Sequence, residues 1–277
     1  MNLLGIDFEE WYHPELIQKN IEIEKKEAKI VYGIDKILDW LQKYDTYATF
    51  FIVGEILVEF PEILDKIIEN KHEVAFHSMH HKNLGIQNKD IFEKEIYEFQ
   101  KLSKNKSVGF RAPTFSLTDS SSWLIDLLEK FDYQYDSSIV PAKTQLYGMP
   151  NAEIKPYRIS KNNLEKNDQY AKIIEFPLLV TTFLGKKIPA GGGFYLRTLP
   201  LKVLENAVKK YNSMNIPSSF YIHSWELTPE FMPKLQLPKK DSFITYHNLN
   251  KALPKMEKLI KKFEFTSFQR YISSSNL

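Results

Sequence analysis

A chain of 277 residues is long for one ordinary domain but within the usual size of a single α/β barrel. Its formal net charge of +2, with lysines interleaved among acids, implies no polyanionic partner such as nucleic acid. It has no cysteine, which excludes disulfides, thiolate metal ligands and cysteine nucleophiles.

The segment Leu3-Leu4-Gly5-Ile6 is apolar and breaks at once into Asp7-Phe8-Glu9-Glu10-Trp11. It reads as a first strand and not as a signal peptide, because no basic leader precedes it. No stretch approaches the roughly 20 apolar residues of a membrane span. The expectation is a cytoplasmic protein, with peripheral association at the inner membrane surface left open. Alternation on a strand puts Asp7 and Glu9 on one side and Glu10 on the other.

Residues 12–28 are polar, and Ile21-Glu22-Ile23-Glu24-Lys25-Lys26-Glu27 reads as a solvated face. Residues 30–41 have helical apolar spacing, and Thr49-Phe50-Phe51-Ile52-Val53 is a buried strand. A helix follows from Phe60, with Pro61 in its first turn, where the missing N–H costs little. Glu73-Val74-Ala75-Phe76 is a short strand ending in His77-Ser78-Met79-His80-His81. Asp90 can cap a helix to Leu102, and Ser120 or Ser121 another to Phe131.

Short strands then end at Gly109-Phe110-Arg111-Ala112-Pro113-Thr114 and at Tyr135-Asp136-Ser137-Ser138. Residues 140–168 are irregular and read as a loop or lid on a barrel mouth. Ile173-Ile174-Glu175-Phe176 is a strand. Gly191-Gly192-Gly193 lacks the endings of a P-loop or a Rossmann turn and reads as a backbone turn close to substrate. Helices are expected over 200–211 and 246–262, with the strand Phe220-Tyr221-Ile222 delivering His223 between them. Strands alternating with helices predict parallel strands joined by helical crossovers, with no internal repeat.

His77 and His81, four apart after a strand, can point to one side of a helical turn and offer two imidazoles to one divalent metal. His80 competes with His81 for that role. Asp7, Glu9, Arg111, Asp136 and His223 all fall at or near strand ends, where a barrel enzyme carries its chemistry. His13, His72 and His247 have no motif behind them and read as structural or exposed.

This ordered set resembles the polysaccharide deacetylase family, also called the NodB-homology group or carbohydrate esterase family 4. That family has an Asp pair, His-Ser/Thr-x-x-His, Arg-x-Pro, an Asp-containing fourth motif and Leu-x-His. Here the counterparts are Asp7 with Glu9, His77-Ser78-x-x-His81, Arg111-Ala112-Pro113, Asp136, and a looser Tyr221-Ile222-His223. The start Asp7-Phe8-Glu9-Glu10-Trp11, the turn Gly191-Gly192-Gly193-Phe194-Tyr195-Leu196-Arg197 and His223-Ser224-Trp225-Glu226 resemble a subgroup found with exopolysaccharide export systems. The resemblance runs from about Leu3 to Phe265. Phe8 stands where the family's second Asp would be, which displaces that ligand to Glu9, with Glu10 as the alternative.

The resemblance implies a distorted (β/α)7-type barrel over residues 1–270 with a tail at 271–277. It also implies one divalent metal ion, expected as Zn2+, on Glu9, His77 and His81. Asp7 would act as general base, His223 as general acid, and Arg111 would orient Asp7. Asp136 would orient His223, and the Thr114 N–H after Pro113 would face the oxyanion. Trp11, Tyr195 and Trp225 are expected to stack on sugar, with core packing as the competing role. The implied activity is removal of N-acetyl groups from an N-acetylhexosamine glycan or lipid-linked oligosaccharide, releasing acetate. The alternatives are an amidase or esterase on a small substrate, and a glycan-binding pseudoenzyme.

Overall fold

The computed structural model describes residues 1–20 and 27–275. The solvated face expected at 21–27 therefore lies almost wholly outside the described residues. Eleven strands are found among the described residues: β1 Asn2–Phe8, β2 Thr49–Ile52, β3 Glu73–Phe76, β4 Gly109–Phe110, β5 Tyr135–Asp136, β6 Tyr157–Ile159, β7 Ile173–Glu175, β8 Val180–Phe183, β9 Lys186–Pro189, β10 Ser219–His223 and β11 Phe265–Thr266. The main sheet runs β10-β1-β2-β3-β4-β5-β7-β6, with β11 beside the start of β1. Every pairing in it is parallel except β6 with β7. The sheet curls until its far side meets β10, where Leu178 bridges Ser219 and Gly192 bridges Tyr221. This is the expected distorted barrel, a mixed α/β fold. The hairpin β8–β9 stands apart from the sheet.

Two-residue alternation sorts each strand between two apolar layers. On β1, Leu4, Ile6 and Phe8 face outward into the larger core, and Leu3 joins an inner cluster with Phe51, Ala75, Tyr135, Ile174, Phe176 and Phe268. The outer core is completed by helices such as Ile34–Lys43, whose Ile34, Ile37, Leu38 and Leu41 fall on one face at helical spacing. The helix Phe268–Ser274 closes the barrel's lower end. Phe268 is fully buried, and its ring stacks on Tyr135 at 5.2 Å and meets Phe51 and Phe176 edge-on. Residues 271–274, expected as a tail, belong to this helix, and Tyr271 and Ile272 pack against the inner cluster.

Several boundaries differ from expectation for local reasons. Asn88, not Asp90, caps Lys89–Leu102, its side chain accepting from the Asp90 and Ile91 N–H groups. Residues 246–262 do not form one helix. Asn248 takes a left-handed φ of 53° and separates Lys239–Tyr246 from a 3-10 turn and the helix Ala252–Ile260. Lys239–Tyr246 escapes sequence reading because its buried positions, Asp241 and Thr245, are polar. The triple glycine lies against β10: a Cβ on Gly192 (φ 150°) would stand 1.8 Å from the Tyr221 carbonyl oxygen.

Truncating Phe268 would remove the ring that seals the barrel floor. Phe268→Ala is expected to lower unfolding free energy by about 3–5 kcal/mol, read from urea denaturation.

Candidate active site

The parallel register brings the strand ends to one rim. Asp7 at the end of β1 lies level with His223 at the end of β10, and Phe76 of β3 lies level with Phe110 of β4, so His77 and Arg111 follow side by side. Above them is a cleft lined by Asp7, Glu9, His77, His81, Thr114 and His223, among others.

Glu9, His77 and His81 offer ligand atoms that lie within 4.8 Å of one another, and all three residues are buried. His81 Nε2 is 2.8 Å from Glu9 Oε2. The imidazoles do not sit on a helical turn as expected. Residues 77–81 form an irregular loop in which Ser78 (φ 62°) and His81 (φ 51°) are left-handed, and these turns fold His81 back toward His77. His77 donates through Nδ1–H to the Arg111 carbonyl at 2.7 Å, which leaves Nε2 as its free acceptor. Burial lowers the His77 pKa to about 4, so the ring is neutral at pH 7. Burial also pushes the Glu9 carboxyl up. The charge and hydrogen bond of His81, with His223 and His77, outweigh that and hold Glu9 well below the usual carboxylate range.

A divalent cation fits this set. His81 Nδ1 is buried with no hydrogen-bond partner among the described residues, Glu9 Oε2 faces His81 Nε2 across the cluster, and one carboxylate with two imidazoles is a donor set of zinc-enzyme type.

Glu10 is turned away from the cluster. Its Oε1 accepts from the Lys29 and Ile30 N–H groups, both at 2.8 Å. His80 also points elsewhere, donating from Nδ1 to Glu55 at 2.8 Å. His13, expected to be structural or exposed, is buried against His81 with ring centroids 6.0 Å apart, and bonds the other Glu55 oxygen at 2.7 Å.

On the other side, Arg111 NH1 donates to Asp7 Oδ1 at 2.6 Å. The guanidinium is fully buried, bonds both the carbonyl and the hydroxyl of Ser137, and lies 3.9 Å over the Phe51 ring. Gly5 makes the room, since a Cβ there would stand 2.6 Å from Arg111 NH1. Thr114 follows Pro113 with a left-handed φ of 54° and faces the cleft.

The structure does not place Asp136 as the partner of His223. Asp136 Oδ1 accepts from the Ser138 hydroxyl at 2.5 Å, and that hydroxyl accepts from Ala112 N. His223 instead donates through Nδ1–H to Glu226 Oε2 at 2.7 Å. Burial would lower the His223 pKa, but Glu226, by charge and hydrogen bond, and then Glu9 and Asp7 raise it to about 9. Glu226 is fully buried and meets Arg197 Nε at 2.6 Å. The signal for Glu226 was its spacing: a residue three after His223 at a helix start can reach back to the His223 N–H, as it does at 3.1 Å. Ser224 was also passed over. Its hydroxyl donates to the Glu9 carbonyl at 2.6 Å and accepts from the Glu9 N–H at 3.1 Å.

Of the three aromatics expected to stack on sugar, only Trp225 lines the cleft. Its indole N–H bonds Glu9 Oε1 at 2.8 Å and its ring stacks on His223 at 4.7 Å. Trp11 lies in a satellite apolar cluster with Tyr12, Ile17 and Trp225. Tyr195 packs against the main core, and its neighbour Phe194 takes the cleft position. Tyr147, from the segment 140–168, expected as an irregular loop but containing β6, also reaches the cleft.

A polysaccharide deacetylase family model matches residues 32–135, and a second, described as a domain of unknown function (DUF3473), matches residues 137–273. The chain is 35% identical over 80 residues to a peptidoglycan-N-acetylglucosamine deacetylase of Bacillus cereus, covering 29% of this chain and 28% of that one. Over residues 32–135 the chain is thus similar to polysaccharide deacetylases. An uncharacterised protein of Geobacillus stearothermophilus is 26% identical over 165 residues, covering 50% of this chain and 60% of the relative. The chain thus spans less than two thirds of the length of either relative. Among solved structures, a putative polysaccharide deacetylase from Mycobacterium smegmatis superposes with a TM-score of 0.63 at 13% identity, covering 99% of this chain and 89% of that one. At that identity the likeness concerns the fold.

Behind the rim, Asp136 and Glu175 are fully buried neighbours. Burial and their mutual repulsion hold Glu175 well above the usual range, and burial lifts Asp136 to about 6. The folded protein therefore keeps a proton that the unfolded chain releases near pH 4. The pair's stability is present below pH 4 and is lost as pH rises through about 6 and beyond. Glu175→Gln needs no proton and can still accept from Ile139 N, so it should flatten the fall in urea midpoint between pH 5 and 9. A slope unchanged from the parent protein would contradict the shared-proton account.

Proposed function

We propose that the chain is a metal-dependent N-deacetylase that removes acetyl groups from an N-acetylhexosamine glycan or lipid-linked oligosaccharide of the exopolysaccharide type. The observation that carries this reading is the Glu9, His77 and His81 donor set on the floor of a cleft that Asp7 and His223 also line. Glu9, His77 and His81 would hold a divalent ion, with zinc as the ion of choice. When bound, it supplies a Lewis acid for the amide carbonyl and lowers the pKa of water.

Within this reading Asp7 accepts the proton of the attacking water. Arg111 engages Oδ1, which fixes the carboxylate's orientation and leaves Oδ2 for the proton. The Thr114 N–H faces the charge that develops on the carbonyl oxygen. His223, held protonated by Glu226, donates to the leaving amine as the C–N bond breaks. Water and amide become acetate and a free amino sugar. One barrel carries this activity, with its closing helix Phe268–Ser274 included. Among the described residues no helix is long and apolar enough to cross a membrane, and a lipid-linked substrate would be met by peripheral association.

Metal content separates the two acids of the first motif. The purified protein is expected to hold about one zinc ion per chain, as one three-residue ligand set implies. Glu9→Gln should lose most of it, and Glu10→Gln should keep it. Full loading of Glu9→Gln by elemental analysis would sink the ligand assignment.

Asp7→Asn and His223→Ala should retain metal and lose on the order of 100-fold or more in kcat for acetate release, the usual scale of a positioned acid or base. Specificity constants should rise with the length of an N-acetylated oligosaccharide, because remote sugar contacts can hold the reacting acetamide in place. Equal constants for monomer and oligomers would favour a small-molecule amidase.

A further inference from the structure

The cleft's acid side contains two buried charges, at the ends of the stretches Gly191–Arg197 and His223–Glu226, to which sequence reading assigns no role. Glu226 is fully buried and Arg197 is 2% exposed. Glu226 divides its carboxylate between them: Oε2 takes His223 Nδ1–H at 2.7 Å and the His223 N–H at 3.1 Å, and Oε1 meets Arg197 Nε at 2.6 Å. The other two nitrogens of Arg197 are engaged as well. NH1 donates to the carbonyls of Thr245 and His247 at 3.1 and 2.8 Å, and NH2 to that of Ile244 at 2.9 Å. Ile244 and Thr245 are themselves cleft wall. The Asp of the fourth motif is engaged elsewhere, with Ser138 and Glu175.

We propose that Glu226 and Arg197 are positioning residues for His223: Glu226 fixes the imidazole against the cleft, and Arg197 locks both to the wall segment 244–247. This rests on the deacetylase reading only in giving His223 the role of acid. The physical case is directional. A ring bonded only through Nδ1 can pivot about that bond, and two features stop it. Trp225 stacks flat on the ring, with an interplanar angle of 12°. Glu226 cannot follow a pivot, because its second oxygen is held by a guanidinium whose remaining donors grip three backbone carbonyls. Nε2 is thereby left facing Glu9 at 3.9 Å, over the floor of the cleft. The arrangement replaces a partner from a distant strand by one on the turn that follows His223, and recruits the C-terminal end of the helix Lys239–Tyr246, with His247, as its brace.

The test uses the full chain loaded with zinc and a chito-oligosaccharide as substrate, with acetate release and crystal structures as parallel readouts. Glu226→Gln keeps the shape and loses the charge. It should lower kcat by about 10- to 100-fold, a part of what a positioned acid contributes, with KM within about twofold and zinc content unchanged. Arg197→Lys should recover part of the activity lost in Arg197→Met. Either single change strands a buried charge and can cost folding, so the double variant Glu226→Gln/Arg197→Met, which removes both charges, is made alongside. It should fold, bind zinc and show the same loss in kcat.

In crystals of the Glu226→Gln and double variants, His223 should leave its place on Trp225 or lose defined density. Wild-type kcat in a folded, zinc-loaded Glu226→Gln or double variant would overturn the proposal, as would an unmoved His223 ring in both. If the parent protein releases no acetate from any N-acetylated oligomer, the deacetylase reading fails. The position of the His223 ring in the variants still decides whether Glu226 and Arg197 hold it.

Discussion

The arrangement depends first on one guanidinium buried inside the barrel. Arg111 bonds Asp7 of β1 and both polar groups of Ser137 just beyond β5, and its own carbonyl accepts from His77 just beyond β3. One residue thus sets the orientation of the proposed base and of one proposed metal ligand. A charge with no exposure is tolerated only because every direction around it is filled: hydrogen-bond acceptors in its plane, the Phe51 ring on its face, and a glycine, Gly5, where any side chain would collide. Removing one partner of such a pair leaves the other uncompensated, at about 3–5 kcal/mol. Gly5, Phe51, Asp7, Arg111 and Ser137 are for that reason one unit, spread over four strands.

The barrel is polarised along its axis. Its lower end is sealed by aromatic packing around Phe268, with the single buried acid Glu73 satisfied by Thr49, Tyr135 and the Gln269 N–H. Its upper end gathers the carboxylates and imidazoles. Apolar contacts carry the closure, where shape suffices, and the charged groups sit where strands end and loops can supply partners. Ser224 shows how closely those loops are tied in: one hydroxyl donates to and accepts from the Glu9 backbone, so β10 and the end of β1 hold the Glu9 main chain between them.

Much of this was legible in sequence because strands announce themselves by alternation and by what stands at their ends. Alternation put Asp7 and Glu9 on one side of the first strand and Glu10 on the other, the barrel and the motif positions came from the family resemblance, and the contacts of Glu10 with the Lys29 and Ile30 N–H groups separate the two acids. What escaped was of three kinds. The His77–His81 geometry comes from left-handed residues, which propensity does not flag in Ser and His. The helix Lys239–Tyr246 buries polar residues, so no apolar stripe marks it. The roles of Arg197 and Asp136 depend on which buried groups meet across distant segments of the chain, and resemblance pointed to Asp136 where the structure pairs His223 with Glu226. Trp11 and Tyr195 illustrate the same limit, since an aromatic beside a motif is as readily core as cleft.

The two sides of the cleft use the same side chain in opposite states, and the partner of Nδ1 makes the difference. His77 gives its Nδ1–H to a neutral carbonyl. Burial then dominates, the pKa falls to about 4, and the ring presents a lone pair, as a metal ligand must. His223 gives its Nδ1–H to a carboxylate. That charge overcomes the burial of a ring that keeps some exposure, the pKa rises to about 9, and the ring carries a proton, as the proposed acid must. Interchanging the partners would spoil the acid, because a carbonyl behind His223 would leave it neutral with nothing to donate, whereas a ligating imidazole accepts either a carbonyl or a carboxylate behind it. The Arg111 carbonyl and the Glu226 carboxylate therefore divide the labour of the site, and the buried arginines matter because they fix where those two acceptors stand.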